Sequence, residues 1–233
     1  DIEPALCLLP LIARRQGFGD LLADGTKRLS AHYGAQDLAV HVNGLELPAH
    51  DPRALSGMAV VYATSPRGAC HMQGDMYVVD MGLTIAELGI HPDGRFKTRG
   101  KAVVAARLQD WRTLYNSAIM CVFANPTAPV LAQLLGSATG WSSDPVWWHR
   151  AGERIFNLKR AFNNRLGVRR GHDRLPERLL IPLANGSGGR RPNMAGLLQE
   201  YYGWRSWDWE TGRPTAEKLT SLGLLDVAED LWG

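Results

Sequence analysis

Residues 101–121, KAVVAARLQDWRTLYNSAIMC, decide the fold class of this chain. Their apolar side chains recur three or four positions apart, a spacing that places them along one face of an α-helix. The seam consists of Val104, Leu108, Trp111, Tyr115 and Ala118. The stretch therefore predicts a long helix that turns this seam toward a core, with a cysteine just beyond its end.

Other segments have the same helical periodicity. Asp51-Pro52 and Asp144-Pro145 each combine a capping carboxylate with a proline suited to the first helical position, and an apolar stripe follows each pair. Further helices are predicted near residues 22–33, 131–138, 197–202 and 215–222, three of them followed by a glycine at 34, 140 or 223.

One stretch has the pattern of β-strands. In residues 38–47, apolar and polar residues alternate, and Asn43-Gly44 is a favoured pair for a two-residue hairpin turn. We find no internal repeat and no low-complexity segment. The fold class is therefore predicted to be mainly α, with at most a short β-hairpin near 38–47.

The composition is that of an ordinary globular protein of 233 residues, with a net charge of +3 and 45% apolar residues. No apolar run approaches the roughly 20 residues that a membrane span requires. Asp1, Glu3 and Pro4 lie where a signal peptide would need basic residues, and the missing initial Met indicates truncation or processing. The three widely spaced cysteines argue against a disulfide scaffold and favour a cytoplasmic location.

Basic residues are concentrated in residues 150–191, which contain eleven Lys or Arg and three Asp or Glu. Such a stretch could contact nucleic acid or an acidic protein. It could equally form a solvated surface with internal ion pairs, and no recognised nucleic-acid-binding motif accompanies it.

Few residues indicate chemistry by themselves. Residues 67–71, Arg-Gly-Ala-Cys-His, place a cation, a thiol and an imidazole close together, and Cys121 follows the long helix. No Cys-x-x-Cys pair is present, so a complete zinc or iron–sulfur site cannot be written from this chain. A single histidine or cysteine in such a position is compatible with a structural role as well as a functional one.

Several blocks together resemble the aldehyde:ferredoxin oxidoreductase family. Residues 42–53 resemble its "HVKGLE-PAYDPR" stretch, and residues 62–71 resemble its "YATSNRGACH" block. Residues 152–158 match "GERIYNL", residues 175–178 match "LPER", and residues 200–224 match the terminal "EYY…GxPTxEKLxxLGL". The blocks occur in the family's order and span most of the chain.

The resemblance implies an architecture and cofactors. Residues 1–47 would be the tail of the middle helical domain and residues 48–233 the C-terminal helical domain, with the N-terminal pterin-binding domain absent. The family holds a bis-pterin tungsten cofactor, more rarely molybdenum, and one four-iron–four-sulfur cluster. It oxidises aldehydes to carboxylates and passes electrons to ferredoxin or another electron-transfer protein. This chain is therefore not expected to be active without the missing N-terminal segment or subunit.

The resemblance also assigns roles after the long helix. The family's Asp-x-x-Gly-Leu-Cys motif ends in the fourth cluster cysteine, which here is Cys121. Asn116, Met120 and Val122 are implied as cofactor contacts. Asn116 replaces an aspartate, so a hydrogen bond to the pterin would lose its charge assistance. Ile119 replaces a glycine that would let the backbone approach the cofactor closely.

A second set of roles falls on the block that ends in His71. His71 matches a histidine that lies beside the metal and handles protons during aldehyde oxidation, a task that suits a group titrating near neutrality. Arg67 and Gln73 are implied as contacts of the pterin edge or phosphates. An alternative hypothesis is a degenerate, cofactor-free helical module for protein binding, which the changes at Asn116 and Ile119 favour.

Overall fold

The computed structural model describes residues 2–233, which form a mainly helical fold. The α-helices of this part are α1 Glu3–Ala13, α2 Phe18–Ala23, α3 Gly25–His32, α4 Ser56–Thr64, α5 Met76–Asp80, α6 Lys101–Ser117, α7 Ala128–Thr139, α8 Pro145–Arg165, α9 Met194–Arg205, α10 Ala216–Ser221 and α11 Leu225–Trp232. Strands β1 His41–Val42 and β2 Leu45–Glu46 pair antiparallel, with Val42 opposite Leu45. The predicted mainly α class and its short hairpin are confirmed.

Helix α4 lies in the centre of the core. Every one of its residues is buried, and it packs against α5, α6 and α9. Its sequence, SGMAVVYAT, has no charged residue, and a helix that is apolar on all sides is stable only when it is enclosed on all sides.

The long helix predicted from residues 101–121 packs closely against α8. A Cβ atom at Gly152 of α8 would lie 2.1 Å from the carbonyl oxygen of Asp110, so only glycine allows the two backbones to approach this closely. One turn earlier, a ring nitrogen of His149 lies 2.9 Å from the carbonyl oxygen of Arg107. This close crossing fixes α8 relative to α6.

Capping residues begin several helices where the sequence predicts. The carboxylate of Asp144 accepts a hydrogen bond from the backbone N–H of Val146 at 3.0 Å, which starts α8. The hydroxyl of Thr215 accepts one from the N–H of Lys218 at 3.2 Å, which starts α10. Helices α10 and α11 then pack on α8 through a separate small apolar cluster.

The helix start predicted at Asp51-Pro52 is wrong, because α4 begins only at Ser56. The carboxylate of Asp51 accepts hydrogen bonds from the backbone N–H of Arg53 at 2.8 Å and from its guanidinium at 2.6 Å. The side chain that would cap a helix thus stabilises a turn.

Four ion pairs lie inside the fold and join separate elements. They are Lys101–Asp80 at 2.6 Å, Arg112–Asp75 at 2.6 Å, Arg160–Asp173 at 2.8 Å and Arg205–Asp110 at 2.6 Å. Arg160 belongs to the basic stretch 150–191, so part of that charge serves an internal ion pair.

Helix α1 is largely exposed. It contains no buried residue and packs against α2, while its apolar residues Leu6 and Leu9 are exposed. None of the helices within residues 2–233 combines the length and apolar character required to cross a bilayer. The predicted division of the chain at residue 47 stays a prediction.

Candidate functional site

The segment between α4 and α5 brings together Arg67, His71 and Gln73. His71 and Gln73 lie on a single 3-10 turn, His71–Gln73. The preceding turn is fixed against the hairpin at Gly68, which has φ +97° and whose added Cβ would lie 2.4 Å from the carbonyl oxygen of Val42. Glycine is therefore required there, and the short hairpin positions the predicted site segment.

His71 has the properties of a proton acceptor. Its side chain is half-buried, and within residues 2–233 neither ring nitrogen forms a hydrogen bond. Burial and the nearby His50 lower the pKa of His71 below its ordinary value of 6.5, an effect that Asp75 partly opposes. A neutral imidazole with free nitrogens can take up a proton near pH 7.

Two residues beside His71, His50 and Tyr77, are not indicated by any sequence pattern of the site. The ring of His50 stacks on that of Tyr77, with centroids 3.9 Å apart and an angle of 11° between the planes. The centroid of His50 lies 5.5 Å from that of His71. Tyr62 holds this arrangement by donating a hydrogen bond to the carbonyl oxygen of His50 at 3.1 Å. His50 and Tyr77 come from opposite sides of α4 in the sequence, so no local motif joins them.

Arg67 and Gln73 also line a cavity of about 510 Å³ against the C-terminal half of α8. The other residues that line the cavity are Pro66 and, from α8, Leu158, Lys159, Phe162 and Asn163. The exposed guanidinium of Arg67 donates to the Sγ of the buried Cys70 at 2.9 Å. Lys159 was not among the predicted site residues.

A buried ion pair ties this segment to the long helix. The guanidinium of Arg112 donates to the two carboxylate oxygens of Asp75 at 2.6 Å and 3.0 Å. Asp75 lies two residues beyond Gln73, and Arg112 lies one helical turn before Asn116. The segment of Arg67, His71 and Gln73 and the end of α6 that contains Asn116 are thus linked by a buried ion pair.

The loop after α6 presents Cys121 on the surface. Met120 and Val122 pack against the core, whereas the alternate residues Ile119, Cys121 and Phe123 are exposed. The backbone N–H of Met120 donates to the carbonyl oxygen of Tyr115 at 2.8 Å. The side chains of Met120 and Val122 therefore anchor the loop, and Asn116, like Cys121, faces outward.

Ile119 has an unfavourable backbone conformation. Its φ is +53°, which a β-branched residue rarely adopts, and 94% of the residue is exposed. We expect Ile119→Gly to raise the free energy of unfolding by about 1 kcal/mol, because it relieves strain and removes no buried surface. Urea denaturation would measure this, with Ile119→Ala as the control that retains a Cβ. A destabilisation of about 0.5–1 kcal/mol, the usual cost of a new glycine, would contradict the strain argument.

Residues 2–233 do not assemble a metal site by themselves. Among residues 2–233, no group of three or more His, Cys, Asp or Glu side chains could hold a metal ion. Cys70 is buried, whereas Cys121 is exposed and free. Residues 2–233 therefore offer exposed thiols at Cys121 and, on α1, at Cys7, but no complete ligand set for a cluster.

The helical scaffold thus presents an unbonded imidazole at His71 and an exposed thiol at Cys121, groups of the kinds that proton transfer and iron–sulfur ligation require. The family model described as "Aldehyde ferredoxin oxidoreductase, domains 2 & 3" matches residues 1–224. The chain therefore belongs to the aldehyde ferredoxin oxidoreductase family.

Similar proteins agree with this assignment. The chain is 35% identical over 220 residues to the tungsten-containing aldehyde ferredoxin oxidoreductase of Pyrococcus furiosus, which covers 92% of this chain and 36% of the relative. The enzyme of the same name from Thermococcus kodakarensis is 32% identical, again over 92% of this chain and 36% of the relative. The chain thus spans about a third of the length of these relatives and corresponds to their C-terminal part.

Two more distant proteins are also similar. One is a Pyrococcus furiosus protein named "Aliphatic sulfonate oxidoreductase, WOR-like subunit", which is 27% identical to this chain. The similarity covers 96% of this chain and 35% of the length of that protein. The solved active-site complex of benzoyl coenzyme A reductase superimposes with a TM-score of 0.69 at 22% identity. The superposition covers 96% of this chain and 39% of the chain in that complex. At this level of identity, the similarity supports the fold alone.

Proposed function

We propose that this chain is the C-terminal part of a tungsten-pterin, iron–sulfur oxidoreductase that oxidises an aldehyde to a carboxylate. Electrons would pass to ferredoxin or a similar acceptor. The match of residues 1–224 to domains 2 and 3 of the family carries this proposal, because it includes the segments of both His71 and Cys121. The pterin-binding domain and the remaining cluster cysteines would come from the rest of the same protein or from another subunit.

The residues present fit the cofactors that the family implies. Cys121 offers an exposed thiol, and iron–sulfur clusters are held by thiolates. Gln73 offers a buried side-chain oxygen that has no hydrogen-bond partner, so a bound group could donate to it. When bound, the tungsten-pterin group supplies the two-electron oxidation and the cluster supplies the onward route for single electrons.

His71 is the residue of this chain that would handle protons. Converting an aldehyde and water to a carboxylate releases two electrons and three protons, so the site needs a proton acceptor. A ring nitrogen of His71 is free to accept one, because the imidazole is neutral near pH 7 and is not hydrogen-bonded within residues 2–233. Arg67, the nearby cation, helps to keep the imidazole neutral.

A prediction follows for the cluster ligand. In the natively assembled protein, Cys121→Ser is expected to abolish or strongly alter the spectrum of the reduced cluster, because a serine oxygen is a poor substitute for a thiolate. Electron paramagnetic resonance and iron analysis would measure this. Cys7→Ser is the matched control, since Cys7 is also exposed but lies on α1. An unchanged spectrum and iron content in Cys121→Ser would remove Cys121 from the ligand set.

The experiment that tests the function is metal analysis of the natively purified protein that contains this chain, with its mass measured on the same sample. We expect about one tungsten or molybdenum and about four irons per assembly. An intact, folded assembly without these metals would contradict the proposal.

An intact assembly without tungsten, molybdenum or iron would favour the alternative function, a cofactor-free helical module for protein binding. The observation in its favour is Ile119, which blocks the close backbone approach that a glycine would permit and is held in an unfavourable conformation. Such a module would be expected to bind its partner without tungsten or iron.

A further inference from the structure

One face of the first half of α8 forms a groove with the loop before it and with the residue that follows α10. The groove has a volume of about 510 Å³, and we call it the Trp–Arg groove. On α8, Trp147, Arg150 and Arg154 follow one another at intervals of three and four residues, which places them on one side of the helix. The residues that line the groove include Trp141, Trp147, Arg150, Arg154, Ile155 and Leu222.

The aromatic part of the groove is fixed in place but exposed. Trp148 is buried, and its indole N–H donates to the carbonyl oxygen of Ser142 at 2.6 Å. The rings of Trp141 and Trp147 pack on that of Trp148, with centroids 5.9 Å and 4.9 Å from it. They nevertheless remain 64% and 43% exposed. Large apolar surface that is held rigidly and left uncovered within residues 2–233 is typical of an interaction site.

The groove is positively charged. The guanidinium of Arg150 donates to the carbonyl oxygen of Ser221 at 2.7 Å, which positions the cation without neutralising it. Arg154 is exposed and forms no ion pair within residues 2–233. Glu153, which lies between the two arginines in the sequence, pairs with Lys218 at 2.8 Å. Since none of the described residues that line the groove is acidic, a negatively charged ligand would complement it.

The composition of the groove favours a protein segment over a nucleic acid. Tryptophan and arginine are prominent among the side chains that dominate protein–protein binding energies. A polynucleotide would need a track of cations along its phosphates. The next arginines of α8, Arg160 and Arg165, are already paired with Asp173 and Asp230, and Lys159 lines the cavity on the other half of the helix. Two cations beside one apolar groove therefore fit a short acidic segment with an apolar side chain.

We propose that the Trp–Arg groove binds an acidic segment of a partner protein. The segment inserts one large apolar side chain against Trp141 and Trp147, and its flanking carboxylates pair with Arg150 and Arg154. This inference goes beyond the proposed function, because the groove lies on the first half of α8, whereas the cavity that Arg67 lines lies on the second half. The partner would thus bind without entering the predicted cofactor site.

The first test presents a library of random short peptides to the natively purified protein that contains this chain. We expect the enriched peptides to share one large apolar residue flanked by Asp or Glu. A synthetic peptide with that consensus should bind the variant Arg154→Glu about tenfold more weakly, because one charge pair changes from attractive to repulsive. Fluorescence anisotropy of the labelled peptide would measure the two affinities.

The matched control for this test is Arg178→Glu. Arg178 is exposed, belongs to the same basic stretch 150–191 and does not line the groove, so its replacement makes the same change in net charge. This variant should bind the peptide as tightly as the unmodified protein does. A library without an acidic, apolar consensus, or equal weakening by the two variants, would overturn the proposal.

The second test distinguishes other occupants of the groove. Hydroxyl-radical footprinting of the native assembly should modify Trp141 and Trp147, and the consensus peptide should protect them. Protection without the peptide would show that another part of the assembly covers the groove, which would contradict the proposal. Tighter binding of a single-stranded oligouridylate than of the peptide, weakened by Arg154→Glu, would also contradict it, since the occupant would then be a nucleic acid. Tungsten and iron contents of the same sample test the proposed function separately.

Discussion

Replacing Arg205 with methionine is expected to lower the free energy of unfolding by about 3–5 kcal/mol, the largest stability effect of any substitution considered for this chain. Arg205 is completely buried at the end of α9, and its guanidinium donates to the carboxylate of Asp110 at 2.6 Å. Methionine retains much of the volume but removes the charge. The carboxylate of Asp110 would then remain buried without its cationic partner.

The surroundings of Arg205 explain why the loss is large. Its other donors reach the carbonyl oxygen of Ala106 at 2.9 Å and the hydroxyl of Tyr201 at 3.1 Å. That hydroxyl in turn donates to the side-chain oxygen of Gln109 at 2.6 Å. One substitution thus unpairs several buried polar groups of α6 and α9, each of which costs free energy when it is left unsatisfied.

The destabilisation should depend on pH in a defined direction. Burial raises the pKa of Asp110, and the charge of Arg205 opposes this effect in the unmodified chain. In Arg205→Met the folded-state pKa of Asp110 should rise further above its unfolded value. Protonation then favours the folded state, so the variant should lie closer to the unmodified chain at pH 5 than at pH 8.

Urea denaturation at the two pH values would measure both effects. Arg165→Met is the matched control, because Arg165 pairs with Asp230 at 3.3 Å on the surface and should lose less than about 1 kcal/mol. A loss below about 1 kcal/mol for Arg205→Met would contradict the assigned role of the buried pair.

Most of the helical architecture could be predicted from the sequence, because its signals are local. The seam of α6, the cap of α8 at Asp144 and the glycine after α7 each depend on residues within a few positions. Helix α4 was placed several residues too early because Asp51 and Pro52 have the composition of a helix start. The competing interaction of Asp51 with Arg53 was not visible in that pattern.

Close approaches could not be predicted, because they depend on distant segments. The sequence does not distinguish Gly152 and Gly68 from the other residues of their motifs. In the structure, each allows a close backbone contact that any other residue would block. The buried pair of Arg205 and Asp110 likewise joins residues 95 positions apart. Neither periodicity nor spacing indicates such pairs.

The candidate site was predicted in part, through resemblance more than through the residues themselves. Arg67, His71 and Gln73 do lie together, and Cys121 is available at the surface, while their functional roles stay predictions. Lys159 could not be predicted, because it belongs to a strongly basic helix in which one more lysine has the pattern of a solvated surface. That Lys159 has no ion pair within residues 2–233 is visible only in the structure.

His71→Asn is expected to lower the turnover of aldehyde by the natively assembled protein about 10²–10⁴-fold while tungsten and iron contents stay unchanged. Asparagine can hydrogen-bond but cannot accept a proton near neutrality, so the variant separates proton transfer from cofactor binding. His91→Asn is the matched control, because His91 is exposed in the loop before α6. Unchanged turnover in His71→Asn would contradict the proposed proton-transfer role and indicate that His71 is structural.

The pH dependence of kcat/KM tests the same assignment without changing His71. Because the pKa of His71 is lowered, the acidic limb of the profile should lie below pH 6.5, and activity should fall only as the imidazole becomes protonated. His50 contributes to this lowering, so His50→Gln should move the limb to higher pH. His50 would then shift the pH range in which His71 accepts protons, in addition to the larger effect of burial, and an unmoved limb would show that His50 has no such influence on the group that limits the reaction.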